Sequence, residues 1–160
     1  SILTLAAASY GSRPVDDSTV PTGFDMHAAA LFESIVEGTY IVATADGVFD
    51  EDERRVFERI VIAACGGAVT KSSIRDLVAD LGDQLAEDGL EVRLQRLSAG
   101  VARREHALEV IRIAALIAQC SEDVSAVERS VLEKLAVACN LEPSAVHVAL
   151  ADGQRALHGT

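Results

Sequence analysis

Apolar residues recur along this chain at the three- and four-residue spacing of α-helices, from about residue 24 to the C-terminal end. This spacing places them on one face of each helix, where they can be buried together. Two segments, 24–45 and 104–120, are apolar around most of their circumference, which is typical of helices at the centre of a bundle. The helix between them that contains Val56, Phe57 and Ile60 has a single apolar stripe. The pattern therefore predicts two central helices with amphipathic helices packed around them.

The distribution of helix-breaking and strand-favouring residues agrees with this prediction. The three prolines leave residues 22–142 without any, and alternation of β-branched and aromatic residues is absent. Glycine, proline and aspartate are frequent in residues 1–23, which predicts an irregular or loosely docked leader. We therefore expect an all-α fold of about seven helices, formed by one domain over residues 24–160.

One helix start occurs twice along the chain. Asp50 and Ser125 are both residues that favour the N-cap position, and each is followed three residues later by glutamate, as in a capping box. The segments 53–63 and 128–138 also align, with identical residues at five positions. We interpret this repeat as a duplicated helical hairpin, and two such hairpins are expected to pack with pseudo-two-fold symmetry.

The residues at these two helix starts resemble a known family. Residues 45–53 read Ala-Asp-Gly-Val-Phe-Asp-Glu-Asp-Glu, and residues 125–128 repeat the cap-to-glutamate spacing as Ser-Ala-Val-Glu. Over about residues 25–157 the chain is similar to the tellurite-resistance TerB family and its TerB-like domains. The resemblance implies an all-helical, pseudo-symmetric bundle and a role in bacterial tellurite-resistance or stress-response systems. It also implies a proposed divalent-metal site formed by acidic residues, without an established enzymatic activity.

The candidate chemistry is concentrated in two acidic turns. Carboxylate oxygens are the ligands that hard cations such as Ca²⁺ and Mg²⁺ prefer. The turns do not form an EF-hand, because a loop starting at Asp46 has Glu51 at the glycine position and Phe57 at the bidentate glutamate position. Alternatively, the same acids only cap the helices and interact with the positive end of the helix dipole. The candidate ligands are Asp46, Asp50, Asp52, Glu53, Glu122, Asp123 and Glu128.

Composition narrows the expected partners and compartment. Lys and Arg number 14 against 25 Asp and Glu, a net charge of −11, which argues against binding of the nucleic-acid backbone. No apolar run is long enough for a membrane span, and no secretory signal is expected. The three cysteines include no CxxC pair, which favours a reducing compartment, so we expect a cytoplasmic protein. Two of them, Cys120 and Cys139, align with alanines in the repeat and are expected to be buried and unreactive.

Motifs for catalysis do not occur in the sequence. We find no HExxH zinc motif, no phosphate-binding glycine loop and no nucleophile elbow. We therefore expect a non-enzymatic, TerB-like stress-response module that binds a divalent cation or a protein partner through its acidic turns. The alternatives are a metal-free interaction scaffold and, less favoured, a metal-dependent hydrolase, for which the turns lack an accompanying histidine.

Overall fold

The structure is a computed structural model that describes residues 2–11, 26–47, 49–121 and 124–158. This part of the chain contains helices and no strand, which confirms the all-α prediction. None of the helices described is both long enough and apolar enough to cross a membrane. In chain order they are α1 (Ile2–Gly11), α2 (Met26–Ala43), α3 (Glu51–Ala64), α4 (Lys71–Asp88), α5 (Leu90–Ala99), α6 (Arg104–Ser121), α7 (Ala126–Ala138) and α8 (Ser144–His158).

Helix α1 differs from the irregular leader expected over residues 1–23. It packs against α2, with Ala6 and Ala7 buried and the ring of Tyr10 in tilted contact with Phe32 at a centroid distance of 4.7 Å. A helix composed almost entirely of apolar residues is stabilised by covering another apolar surface. The remainder of the expected leader lies outside the described residues. The described chain consequently has eight helices, where about seven were expected.

The two helices predicted to be central, α2 and α6, pack against each other. Every residue of α2 from 34 to 42 is buried, as its all-round apolar pattern predicts. The contact is close at Gly38, where an added β-carbon would lie 3.0 Å from Val110 of α6 and 3.2 Å from Leu135 of α7. A larger residue at this position would force the helices apart.

A buried ionic network joins α2 to α5. The guanidinium of Arg93 donates two hydrogen bonds to the carboxylate of Glu37, at 2.6 and 2.9 Å, and a third to Asp88 at 3.1 Å. Glu37 and Arg93 are both buried. The Glu37 hydrogen bonds are the main reason that the pKa of Arg93 is raised above its ordinary value. These charges are paired inside the bundle, so removing either partner leaves the other charge buried without a counter-charge.

The two helix starts of the predicted repeat have similar capping geometry. Asp50 accepts a hydrogen bond from the backbone N–H of Glu53 at 2.8 Å. Ser125 accepts one from the backbone N–H of Glu128 at 3.1 Å, and the Glu128 carboxylate accepts one from the Ser125 N–H at 3.0 Å, which completes a capping box. The N-cap predictions for Asp50 and Ser125 are confirmed, whereas pseudo-two-fold duplication stays a prediction.

Two of the cysteines are part of the helical core. Cys65 and Cys139 are free thiols, and both are buried. Burial raises the pKa of each thiol to about 11. Both therefore remain protonated at neutral pH, which suits the core role expected for Cys139. The side chain of Cys120 lies outside the described residues.

Candidate functional site

A pocket of about 190 Å³ is lined by residues of both predicted acidic turns. Its walls come from the end of α2, the α2–α3 turn, α3 as far as Ile60, α6 and the first turn of α7. The turn is possible because Gly47 adopts a φ of 84°, which L side chains rarely adopt. The helix starts of α3 and α7 are thus brought to the same pocket.

The floor of the pocket is apolar and aromatic. Phe49 and Phe57 line it, and their rings meet edge to face at a centroid distance of 5.9 Å. Both also pack edge to face against Tyr40 of α2, at 5.5 and 6.2 Å respectively. Ile117 of α6 adds a further apolar side chain to the lining. Edge-to-face contacts between aromatic rings of this kind are favourable and stabilise the cluster.

Four of the seven predicted metal ligands line this same pocket. Asp46, Asp52 and Glu53 belong to the first acidic turn, and Glu128 belongs to the second. The first three are exposed and Glu128 is half-buried. A pocket with an apolar floor and carboxylates from two turns can accept a ligand that is both apolar and cationic.

The other three predicted ligands are placed differently. The carboxylate of Asp50 caps α3 by accepting a hydrogen bond from the Glu53 N–H. The contact observed for this residue is therefore helix capping, the alternative to metal binding. Glu122 and Asp123 lie outside the described residues. The carboxylate of Glu128 lines the pocket while it also accepts the capping hydrogen bond from Ser125.

The carboxylates of the first turn influence one another. The pKa of Glu53 is raised above its ordinary value, first because neighbouring atoms displace water from its carboxyl, then by the negative charge of Asp50 and, more weakly, of Asp46. The Asp50 backbone N–H acts in the opposite direction. Ionised Glu53 is therefore disfavoured by its surroundings, and a positive charge in the pocket would reverse this effect.

Metal ligation is not complete within the described residues. In that part of the chain, no three His, Cys, Asp or Glu side chains are grouped so that they could hold a metal ion together. The chemistry of the carboxylates suits Ca²⁺ or Mg²⁺, but the described ones do not form a chelating cage by themselves. The lining of the pocket consequently supports a ligand that contacts both the carboxylates and the apolar side chains better than it supports a metal ion alone.

The sequence pattern missed the apolar half of this site. Val56 was expected in the buried stripe with Phe57, yet it is 40% exposed and lines the pocket. Phe49 lies in the acidic turn, where a large aromatic residue needs a surface to cover it. The presence of an aromatic residue within a polar turn could therefore have predicted an apolar surface next to the carboxylates.

Comparisons with known proteins identify no relative. The chain matches no protein-family model, no curated protein and no solved structure. The resemblance to TerB thus rests on residues 45–53 and 125–128 of the sequence.

Proposed function

We propose that this chain is a non-enzymatic, TerB-like module of a bacterial tellurite-resistance or stress-response system in the cytoplasm, and that its acidic pocket binds a basic segment of a protein partner. The observation that carries the proposal is the pocket itself, which is lined by carboxylates from both acidic turns together with apolar side chains. A lysine or arginine side chain matches this arrangement, because its alkyl stem packs on apolar surface while its cation pairs with carboxylates.

The size of the pocket and the charge of the chain support the same ligand. Its volume of about 190 Å³ is below the roughly 300–1,000 Å³ that is usual for small-molecule sites. A pocket of this size suits one or two side chains inserted from a partner. The net charge of −11 attracts a basic partner over a distance and accelerates its association.

The proposal is tested with two labelled amphipathic helical peptides that have the same leucine face and carry either lysine or glutamate on the other face. We expect fluorescence anisotropy to show binding of the lysine peptide and none of the glutamate peptide. A pocket variant should weaken the lysine peptide about tenfold or more, since several charge-assisted contacts are lost. The pocket variant carries Asp46→Asn, Asp52→Asn, Glu53→Gln and Glu128→Gln.

A matched control separates the pocket from general charge attraction. Four exposed acids of α4 lie outside the pocket, and replacing them changes the net charge by the same amount. This control should bind the lysine peptide as the unmodified chain does. Equal weakening in both variants would assign the binding to net charge and overturn the proposal. The control variant carries Asp76→Asn, Asp80→Asn, Asp83→Asn and Glu87→Gln.

A divalent cation is the second ligand that we propose. The negative charges of Asp50 and Asp46 beside Glu53, which contribute to the raised pKa of its carboxyl, favour such a cation. Ca²⁺ or Mg²⁺ would relieve the repulsion among the first-turn carboxylates. Binding should stabilise the fold by about 2.7 kcal/mol at a hundredfold excess over Kd, measured as a rise in Tm. The rise should vanish in a variant with Asp46→Asn, Asp50→Asn and Glu53→Gln, in which asparagine preserves the N-cap. An equal rise in both proteins at fixed ionic strength would indicate screening and contradict cation binding.

A further inference from the structure

A second cavity, of about 320 Å³, lies on a different face of α3 from the acidic pocket. Residues of α3 line it together with Lys71, the first residue of α4. Its volume is within the range of roughly 300–1,000 Å³ that is usual for small-molecule sites. The residues that line it are Arg55, Glu58, Arg59, Ile62, Ala63 and Lys71.

The unusual residue of this cavity is Glu58, which is buried with only 2% of its surface exposed. Its Oε1 atom has no hydrogen-bond partner in the described structure. The nearest cation that pairs with it is Arg75, whose Nε lies 3.9 Å from Oε1, beyond hydrogen-bond distance. A buried carboxylate oxygen without a hydrogen bond is costly and rare, so it indicates a place for a donor.

The other charges of the cavity are positive. Arg55, Arg59 and Lys71 line it, although the chain as a whole is strongly acidic. Of these, Arg55 is exposed and has a loose ion pair with Glu51 at 3.4 Å. Three cations attract a carboxylate and would repel a simple cationic ligand. The Oε1 atom of Glu58 still lacks a hydrogen-bond donor, which a simple anion cannot supply. A small molecule that carries both an ammonium and a carboxylate satisfies both conditions.

We propose that this cavity binds a free aliphatic α-amino acid, whose ammonium donates to Glu58 while its carboxylate pairs with Arg59 and Lys71. The apolar side chain of the amino acid would lie against Ile62 and Ala63, which supply the apolar part of the lining. Arginine and lysine both recognise carboxylates, arginine with two parallel hydrogen bonds. This site shares no residue with the acidic pocket, so its test is independent of the function proposed above.

The first test uses free leucine as the probe, with binding measured by calorimetry and by NMR shifts of the Ile62 and Ala63 methyl groups. Isoamylamine is leucine without its carboxylate, and isocaproate is leucine without its ammonium. Each should bind at least about tenfold more weakly than leucine. Leucinamide and N-acetylleucine, which imitate the two ends of a peptide, should be weakened similarly. Equal binding of isocaproate or inorganic phosphate would identify a general anion site and overturn the proposal, as would no binding of leucine, isoleucine or valine.

The second test uses variants of the full chain. Glu58→Gln keeps the size of the side chain but removes its charge, and it should weaken the binding of leucine by about tenfold or more. Glu87→Gln makes the same change at an exposed carboxylate of α4 that does not line the cavity, and it should leave binding unchanged. Arg59→Gln should also weaken the binding of leucine, and this variant serves as the test if Glu58→Gln does not fold. Unchanged leucine affinity in a folded Glu58→Gln or Arg59→Gln variant would refute the assignment.

Discussion

Arg93→Met is expected to destabilise the fold by about 3–5 kcal/mol, the usual cost of leaving one partner of a buried ion pair alone. The variant would remove both hydrogen bonds to the carboxylate of Glu37, which is 6% exposed and lies in the central helix α2. It would also remove the bond to Asp88 at the end of α4. Urea unfolding of the two proteins, followed by circular dichroism, measures the difference.

The control for this prediction is the double variant Glu37→Met, Arg93→Met. Replacing both charges with apolar residues leaves no unpaired group, so the double variant should be more stable than Arg93→Met alone. A loss of less than about 1 kcal/mol in Arg93→Met would contradict a buried ion pair at this position.

Phe57→Ala is expected to cost about 3–5 kcal/mol. Phe57 is 2% exposed and packs edge to face against Tyr40 and Phe49, so its removal leaves a cavity beneath the pocket. Its neighbour Val56 is 40% exposed, and Val56→Ala should cost less than about 1 kcal/mol. Similar losses for the two variants in denaturant unfolding would show that Phe57 does not belong to the core.

The sequence was sufficient to predict the features that depend on local chemistry. The apolar residues around the circumference of α2 and α6 predicted helices buried on most sides, and both helices are buried in this way. Asp50 and Ser125 were identified as N-caps from residue type and spacing, because a cap involves only the next three residues. In α1 the same reasoning failed, since the proline and glycine signals that suggested an irregular leader begin only at its end.

Features that depend on contacts between helices could not be predicted in this way. Arg93 and Glu37 are far apart in sequence, and periodicity gives no sign that two charged residues will be buried against each other. The apolar segment of α2 contains two glutamates, Glu33 and Glu37, and its sequence does not show which of them is buried. The acidic pocket is similar, because its floor requires Phe49 and Ile117 from separate parts of the chain. Which carboxylates share a pocket follows from packing, not from spacing along the sequence.

The most direct test of the proposed pocket is a double-mutant cycle between its two turns, with affinity for the lysine peptide as the measurement. Asp52→Asn changes the first turn, and Glu128→Gln changes the second while it retains an acceptor for the Ser125 cap. If both turns contact one ligand, each variant weakens binding, and the two losses differ from additivity by about 0.5 kcal/mol or more. If Glu128→Gln leaves the affinity unchanged, the two turns do not form one site, and the proposed function is contradicted.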